Sequence, residues 1–221
     1  NILSVIDAQR YDVRPILITE DGEWRVFSSL LGLEADTPQK VWSSQQVPAQ
    51  LPYEVDVAFI AMHGEYGEDG TVQRLLDRAT IPYQGSGARS SALAFDKAAS
   101  YAMLRRQGFA IPDYVVMNRA EWVANRFKRV RQILTALGDT VVVKPSSAGS
   151  SVGVYVVKTP AQLADALEQV SVEFDRFIIQ KFISGHEVTC AVLETADGLI
   201  ALPPTLIRPR SSQFFDYAAK Y

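Results

Sequence analysis

Cysteine is almost missing: Cys190 is the single one in 221 residues, so no internal disulfide can form. A chain without cross-links is ordinary in a reducing compartment, and a cytoplasmic setting is expected. Cys190 lies in the alternating run Val188–Val192 and is expected to be a buried, inert thiol. Histidine is nearly as scarce; His63 and His186 are far apart and without partner ligands at metal spacing, so they offer no zinc site. No apolar run approaches the roughly 20 residues that cross a bilayer, and the basic, apolar and small-residue order of a secretory leader is absent, so no membrane partner is expected. Charge of one sign is lacking as well. With 22 basic against 25 acidic residues the net charge is −3, and no like-charged run would track a nucleic-acid backbone, so nucleic acid is not an expected partner. The nearest approach, Arg126–Arg131, has helical spacing and reads as a solvated face. The P-loop spacing G-x-x-x-x-G-K-[ST] and the Rossmann spacing G-x-G-x-x-G are both missing, which removes two common phosphate turns that lead into a helix.

What is present is a chain with 48% apolar residues, enough to bury a core in one large domain or two small ones. Its most informative stretch is Val141–Val157. The β-branched runs Val141–Val143 and Val154–Val157 flank the turn Lys144-Pro-Ser-Ser-Ala-Gly-Ser-Ser-Val-Gly153. This reads as strand, phosphate loop, strand. Glycines let backbone N–H groups converge on a polyphosphate, Ser150 and Ser151 add hydroxyls, and Lys144, rooted in a strand, supplies a fixed positive charge. Taken alone, the same stretch would suit an ordinary surface hairpin equally well.

Along the rest of the chain, Asn1–Gln9 is expected to be the end of a helix, Tyr11–Ile18 a strand, Asp21-Gly22 a tight turn, and residues 30–52 loops and short edge pieces. Val55–Met62 has the continuous apolar character of a buried parallel strand. It runs into His63-Gly-Glu-Tyr-Gly-Glu-Asp-Gly70 and then a helix, the position at which open α/β sheets place ligands. Asp69 suits a helix cap, which leaves His63, Glu65 and Glu68 crowding one loop unexplained. One helix is expected from Ser90 to about Gln107 with Asp96-Lys97 near its middle, a strand over Pro112–Met117, and one long helix over Glu121–Leu137 stopped by Gly138. Thr159-Pro160 starts a helix reaching Val170. Phe177–Ile183, Glu187–Leu193 and Leu199–Leu202 read as strands, and the tail from Arg208 as an exposed loop. The run Gln180-Lys181-Phe182-Ile183 would suit an adenine edge, and Glu187 follows where a carboxylate could accept from ribose hydroxyls.

His63–Gly70, Asp96-Lys97, Val143–Gly153, Gly185-His-Glu187 and Phe215–Tyr221, in this order, resemble the motifs of the D-alanine–D-alanine ligases, which are ATP-grasp enzymes. The similarity runs in register from about Tyr11 to Tyr221. It implies an α/β (α+β) chain of ATP-grasp fold, with an N-terminal parallel-sheet α/β domain over 1–88, a central ATP-grasp subdomain over 89–184 and the start of a C-terminal ATP-grasp subdomain over 185–221. It also implies ATP-dependent ligation of two D-alanines through an acyl phosphate, for peptidoglycan precursors, by a cytoplasmic homodimer using magnesium or manganese. Position by position, the resemblance gives Lys97 and Lys144 to the ATP phosphates, and Ser150 and Ser151 to the loop that closes over them. Gln180, Lys181 and Ile183 would line the adenine pocket, and Glu187 would hold the ribose. His63 and Glu68 would bind the first D-alanine, with Ser150 also at the substrate. Lys220 would reach the γ-phosphate, and Tyr221 would meet Ser150 across the substrate. Gln180 stands where the family usually has glutamate. The family's glycine-rich opening and its magnesium ligands have no counterpart, so a chain truncated at both ends and inactive by itself is expected, with the metal ligands beyond Tyr221. Tyr221 favours an amine acceptor; D-lactate or D-serine as acceptor, and a non-catalytic nucleotide-binding module, are the alternatives.

Overall fold

Asp21-Gly22 makes the tight turn of the first hairpin in the structure, a computed structural model that describes residues 5–208. Gly22 takes φ +80° there, in the left-handed region open to glycine. The turn joins β1 (Ile16–Ile18) to β2 (Glu23–Val26), and β3 (Lys40–Ser43) adds to β2, giving an antiparallel sheet in the order β1-β2-β3. Trp24 and Trp42 are direct cross-strand partners. With Val26 they bury one face against Val47, Leu51, Val72, Leu76, Ala79 and Ile81. Those residues come from α2 (Val47–Gln50), the short 3-10 turn Leu51–Tyr53, α3 (Thr71–Ala79) and the segment after it. Residues 30–52 thus hold more order than expected: Ser29 accepts the Gly32 N–H at 3.2 Å and starts α1 (Leu30–Glu34), and β3 is a proper edge strand. At the other end, residues 5–10 form turns rather than the end of a helix, and the first strand is confined to Ile16–Ile18.

The expected buried parallel strand over Val55–Met62 does not form. Its parallel character is reduced to one bridge, Ala58 to Tyr83, so the sheet of this unit is antiparallel. The cause lies in the facing segment. Ala58 N–H donates to the Pro82 carbonyl at 2.9 Å, but proline has no N–H to give back. Beyond it the ladder is continued by a side chain: Gln84 accepts the Ile60 N–H at 2.9 Å and donates to the Ile60 carbonyl at 2.8 Å. Val57 and Phe59 are left exposed.

The chain divides into two compact units, Asn1–Ala92 and Leu93–Tyr221. In the second, β4 (Tyr114–Asn118), β5 (Val141–Pro145), β6 (Tyr155–Val157) and β7 (Arg176–Lys181) make an antiparallel sheet in the order β4-β7-β5-β6. Met117, Val141, Val143, Val157, Phe177 and Ile179 present one face of it. Trp122, Ile133, Leu137, Leu163, Leu167 and Val170 cover that face from α6 (Arg119–Ala124), α7 (Arg126–Leu137) and α8 (Pro160–Glu173). Thr159 caps α8 by accepting the Gln162 N–H, as Thr-Pro predicts. The single long helix expected over Glu121–Leu137 is two. Asn118 and Glu121 form a capping box that starts α6, and Asn125 leaves helical geometry at φ −154°, ψ 53° while its carbonyl begins α7.

Two exposed ribbons follow, β8 (Glu187–Thr189) with β11 (Thr205–Ile207) and β9 (Val192–Thr195) with β10 (Gly198–Ala201). The strand expected over Glu187–Leu193 is therefore split at Cys190-Ala191. Cys190 is exposed instead of buried, because nothing in the described residues covers this ribbon; its thiol lies 3.1 Å from the Leu202 carbonyl.

Two substitutions report on these packings. Leu163 is fully buried beneath the second sheet, and Leu163→Ala should cost about 3 kcal/mol of stability by urea unfolding. Gly70 sits at φ +85°, where an added Cβ would fall 2.2 Å from the Ala88 carbonyl oxygen. Gly70→Ala should therefore lower the thermal midpoint more than Gly85→Ala, whose Cβ would meet nothing within 4 Å.

Candidate functional site

The site starts at a broken helix. The sequence predicts one helix from Ser90 to Gln107; the structure has α4 (Ala88–Phe95) and α5 (Lys97–Arg106), interrupted at Asp96 in extended geometry, φ −84° and ψ 101°. Aspartate competes for backbone N–H groups, and here it wins. Asp96 Oδ1 accepts the N–H groups of Ala98 and Ala99 at 3.0 and 3.2 Å and the Ser146 hydroxyl at 2.6 Å, while Oδ2 accepts from Arg176 at 2.8 Å. The Lys97 N–H donates to the Ser146 carbonyl at 2.8 Å. Burial pushes the Asp96 carboxyl up, but the hydrogen bonds from Ser146 and Ala99 and the charge of Arg176 outweigh it and leave the group below its usual value. One carboxylate thus fixes the start of α5 to the loop that follows β5.

The cap aims two lysines. Lys97, first in α5, donates from its ammonium to the Ala148 carbonyl at 2.5 Å, inside the loop joining β5 to β6. Lys144 lies on β5. Pairing sets Val142 and Tyr114 opposite Gln180, and the period of two puts Lys144 on that same face, away from the helix-covered core. Its ammonium donates to the Tyr101 hydroxyl at 3.2 Å and lies 5.4 Å from the centre of the Tyr101 ring. Burial, reinforced by the charge of Lys97, pushes the Lys144 ammonium down to about 8. Burial lowers Lys97 too, with Asp96 partly offsetting it.

Tyr101 was not singled out by the sequence. Its hydroxyl donates to Gln180 Oε1 at 2.9 Å, and its ring meets Tyr114 edge-on at 5.4 Å. Lysine and tyrosine four apart share one helix face, a signal that could have pointed to it. That spacing is the same in a broken or an unbroken helix; what the chain does not show is that Tyr101 meets Lys144 and Gln180, residues far along the sequence.

The hairpin itself is as expected. β5 and β6 flank the loop 146–154, and Ser150 and Ser151 both adopt left-handed backbone, φ 50° and 61°, a conformation that costs about 1–2 kcal/mol for a residue with a Cβ. Gly153, at φ 66°, has no room for a Cβ, which would fall 2.9 Å from Pro145 Cγ. Beyond Gln180 the predicted residues Lys181, Ile183 and Glu187 are exposed, and Glu187 pairs with Ile207 across a ribbon.

The structure therefore joins Lys144 to Gln180 through Tyr101, holds Lys97 on the Ala148 carbonyl with Ser150 and Ser151 on that same loop, and leaves Lys181, Ile183 and Glu187 on an open stretch. His63 and Glu68 belong to the first unit and share one turn there. Glu68 Oε2 accepts the Gly64 N–H at 2.5 Å and the Glu68 N–H returns to the Gly64 carbonyl at 2.8 Å, so this carboxylate closes the turn, while His63 is exposed. Asp69 accepts the Thr71 N–H at 2.8 Å, but it stands one residue before the N-cap expected of it, a position that Gly70 takes. Lys220 and Tyr221 lie outside the described residues. Among the described residues no three His, Cys, Asp or Glu side chains gather as a metal site.

The sequence matches the D-ala D-ala ligase N-terminus family over residues 1–86 and the D-ala D-ala ligase C-terminus family over residues 103–221. A D-alanine--D-alanine ligase of Clostridium novyi is 36% identical over 228 residues, an alignment that covers 100% of this chain and 65% of that protein. The solved VanG D-Ala:D-Ser ligase of Enterococcus faecalis has a TM-score of 0.79 at 30% identity, covering 100% of this chain and 66% of that one. A D-alanine--D-alanine ligase of Bacillus anthracis complexed with ATP has a TM-score of 0.62 at 32% identity, over 78% of this chain and 54% of the other. The chain spans about 65% of the length of the curated relatives it matches. Both stretches of sequence, and the fold they adopt, lead to one assignment: this chain belongs to the D-alanine–D-alanine ligase family.

Proposed function

We propose that the chain carries the nucleotide-binding core of an ATP-dependent ligase that joins two D-alanines, a step in making peptidoglycan precursors. The observation that supports this best is the pair of part-buried lysines, Lys144 on the Ser/Gly hairpin and Lys97 on α5 reaching its loop, neither with a carboxylate salt bridge among the described residues. Desolvation lowers both ammonium groups, and a polyphosphate between them would restore their charge. The Bacillus anthracis relative was solved with ATP, which fits that reading.

In the proposed reaction the first D-alanine carboxylate attacks the γ-phosphorus, ADP leaves, and an acyl phosphate forms. The amine of the second D-alanine then attacks the acyl carbon, loses a proton and expels phosphate. Lys97 and Lys144 offset the charge spread over the phosphoryl oxygens. Ser150 and Ser151 donate hydroxyls from a loop whose closure keeps water from the acyl phosphate. Gln180 meets the base, Lys181 and Ile183 flank it, and Glu187 holds the ribose. His63 approaches the first D-alanine, and Glu68 acts by shaping the turn that presents it. Lys220 and Tyr221 take the γ-phosphate and the substrate side of Ser150. Magnesium or manganese, which the family implies, finds no carboxylate cluster among the described residues. Three parts, 1–88, 89–184 and 185–221, share this work. No described helix is long and apolar enough to cross a membrane; a cytoplasmic homodimer is the setting proposed. D-serine is the second candidate acceptor, favoured by the likeness to the D-Ala:D-Ser ligase.

Phosphate release with ATP, magnesium and D-alanine, D-serine or D-lactate as acceptor tests the ligase reading. D-alanine should give the fastest release by the intact protein and Lys144→Met should reduce it at least a hundredfold; near-normal release from that variant would sink the assignment. The free Lys144 ammonium is half-neutral at about pH 8. The Lys144 contribution to nucleotide binding, which needs the charged form, should therefore be nearly constant from pH 7 downward. Above pH 8 the Kd for ATP measured calorimetrically should rise up to about tenfold per pH unit. In Lys144→Met the onset near pH 8 should be lost, leaving only the part of the dependence that Lys97 contributes.

A further inference from the structure

Resting on the nucleotide reading above, we propose that Tyr101 is a positioning residue that ties the base-recognising amide of Gln180 to the phosphate-binding ammonium of Lys144. The geometry sets the direction of every proton in this chain of groups. A lysine ammonium can only donate, so at 3.2 Å the Tyr101 oxygen is the acceptor, and its own hydroxyl proton is left for Gln180 Oε1 at 2.9 Å. Two consequences follow. The Gln180 amide is held with its oxygen toward Tyr101, and no partner is recorded among the described residues for its two N–H donors. The amide therefore offers donors where the glutamate usual in this family can offer none when ionised. In addition, a tyrosine that donates to a carbonyl becomes a better acceptor itself, so the Gln180 contact strengthens the hold on Lys144.

The surroundings leave Tyr101 as the group best placed to do this. From α5, Lys97 adds like charge, which opposes the Lys144 ammonium. Asp96 and Arg176, at the start of α5 and on β7, are paired with each other. On β4, Tyr114 faces the Tyr101 ring and carries Arg105 4.9 Å over its own. The Tyr101 ring contributes a cation–π contact beside the hydroxyl, and Tyr101→Phe removes only the second of these.

The decisive measurement is an NMR titration of the Lys144 side chain in the unliganded intact protein, with the resonance assigned through Lys144→Met. Tyr101→Phe should shift the Lys144 midpoint downward by about one unit, because the charged form loses its hydrogen-bond acceptor. Gln180→Leu should shift it the same way by less, and should add nothing in the Tyr101→Phe background. An unchanged midpoint in Tyr101→Phe overturns the proposal, as does a Gln180→Leu effect that persists in the double variant. Calorimetry on the same proteins adds a second arm. Tyr101→Phe should weaken ATP about tenfold and adenosine much less; equal losses would mean a general packing role. Failure of the unsubstituted protein to bind ATP would sink the nucleotide reading while leaving the titration result to stand or fall alone.

Discussion

Two ammonium groups brought together in a part-desolvated place, with no salt bridge to either among the described residues, form the constraint on which the second unit depends. Like charges repel and buried charges lose water, so Lys97 and Lys144 are each costly. Their partners are neutral: a backbone carbonyl for Lys97, a phenol oxygen and an aromatic face for Lys144. Neutral acceptors hold a cation in place without cancelling its field. A carboxylate at the same distance would bind better and leave little for a ligand.

The nearest acidic group is used elsewhere. Asp96 accepts two backbone N–H groups, a serine hydroxyl and an arginine, which occupies both its oxygens. The fold thereby takes a negative charge that could have quenched Lys97 and directs it to capping α5 and to Arg176. The antiparallel sheet supplies the other half of the arrangement. Its alternation sends Val141 and Val143 into the helix-covered core and Lys144 to the opposite face, so the strand that anchors the lysine is also among the most buried.

The hairpin was legible because its signals are local: β-branched runs, a glycine-rich turn and Thr159-Pro160 specify strand, loop, strand and helix within about twenty residues of one another. The two helix breaks were not. Periodicity runs smoothly through Asp96 and Asn125, and whether either side chain captures backbone N–H groups depends on partners, such as Ser146 and Arg176, that lie far along the chain. Val55–Met62 failed for a related reason. Its apolar run is real, but whether it becomes a strand is decided by a proline in the segment across from it. Cys190 was misplaced because alternation predicts which residues share a face, not whether anything covers it. Of the candidate site, Lys97, Lys144, Ser150, Ser151 and Gln180 were singled out from the chain, whereas Tyr101 enters through contacts with Lys144 and Gln180 that no local signal announces.

The Asp96 junction also has a mechanical meaning. Because one side chain grips the first turn of α5, the loop after β5 and the start of β7 at once, it works as a rivet through three parts and not as a tether between two. Any displacement of the hairpin base must drag the helix with it, so the spacing of the two cations is preserved.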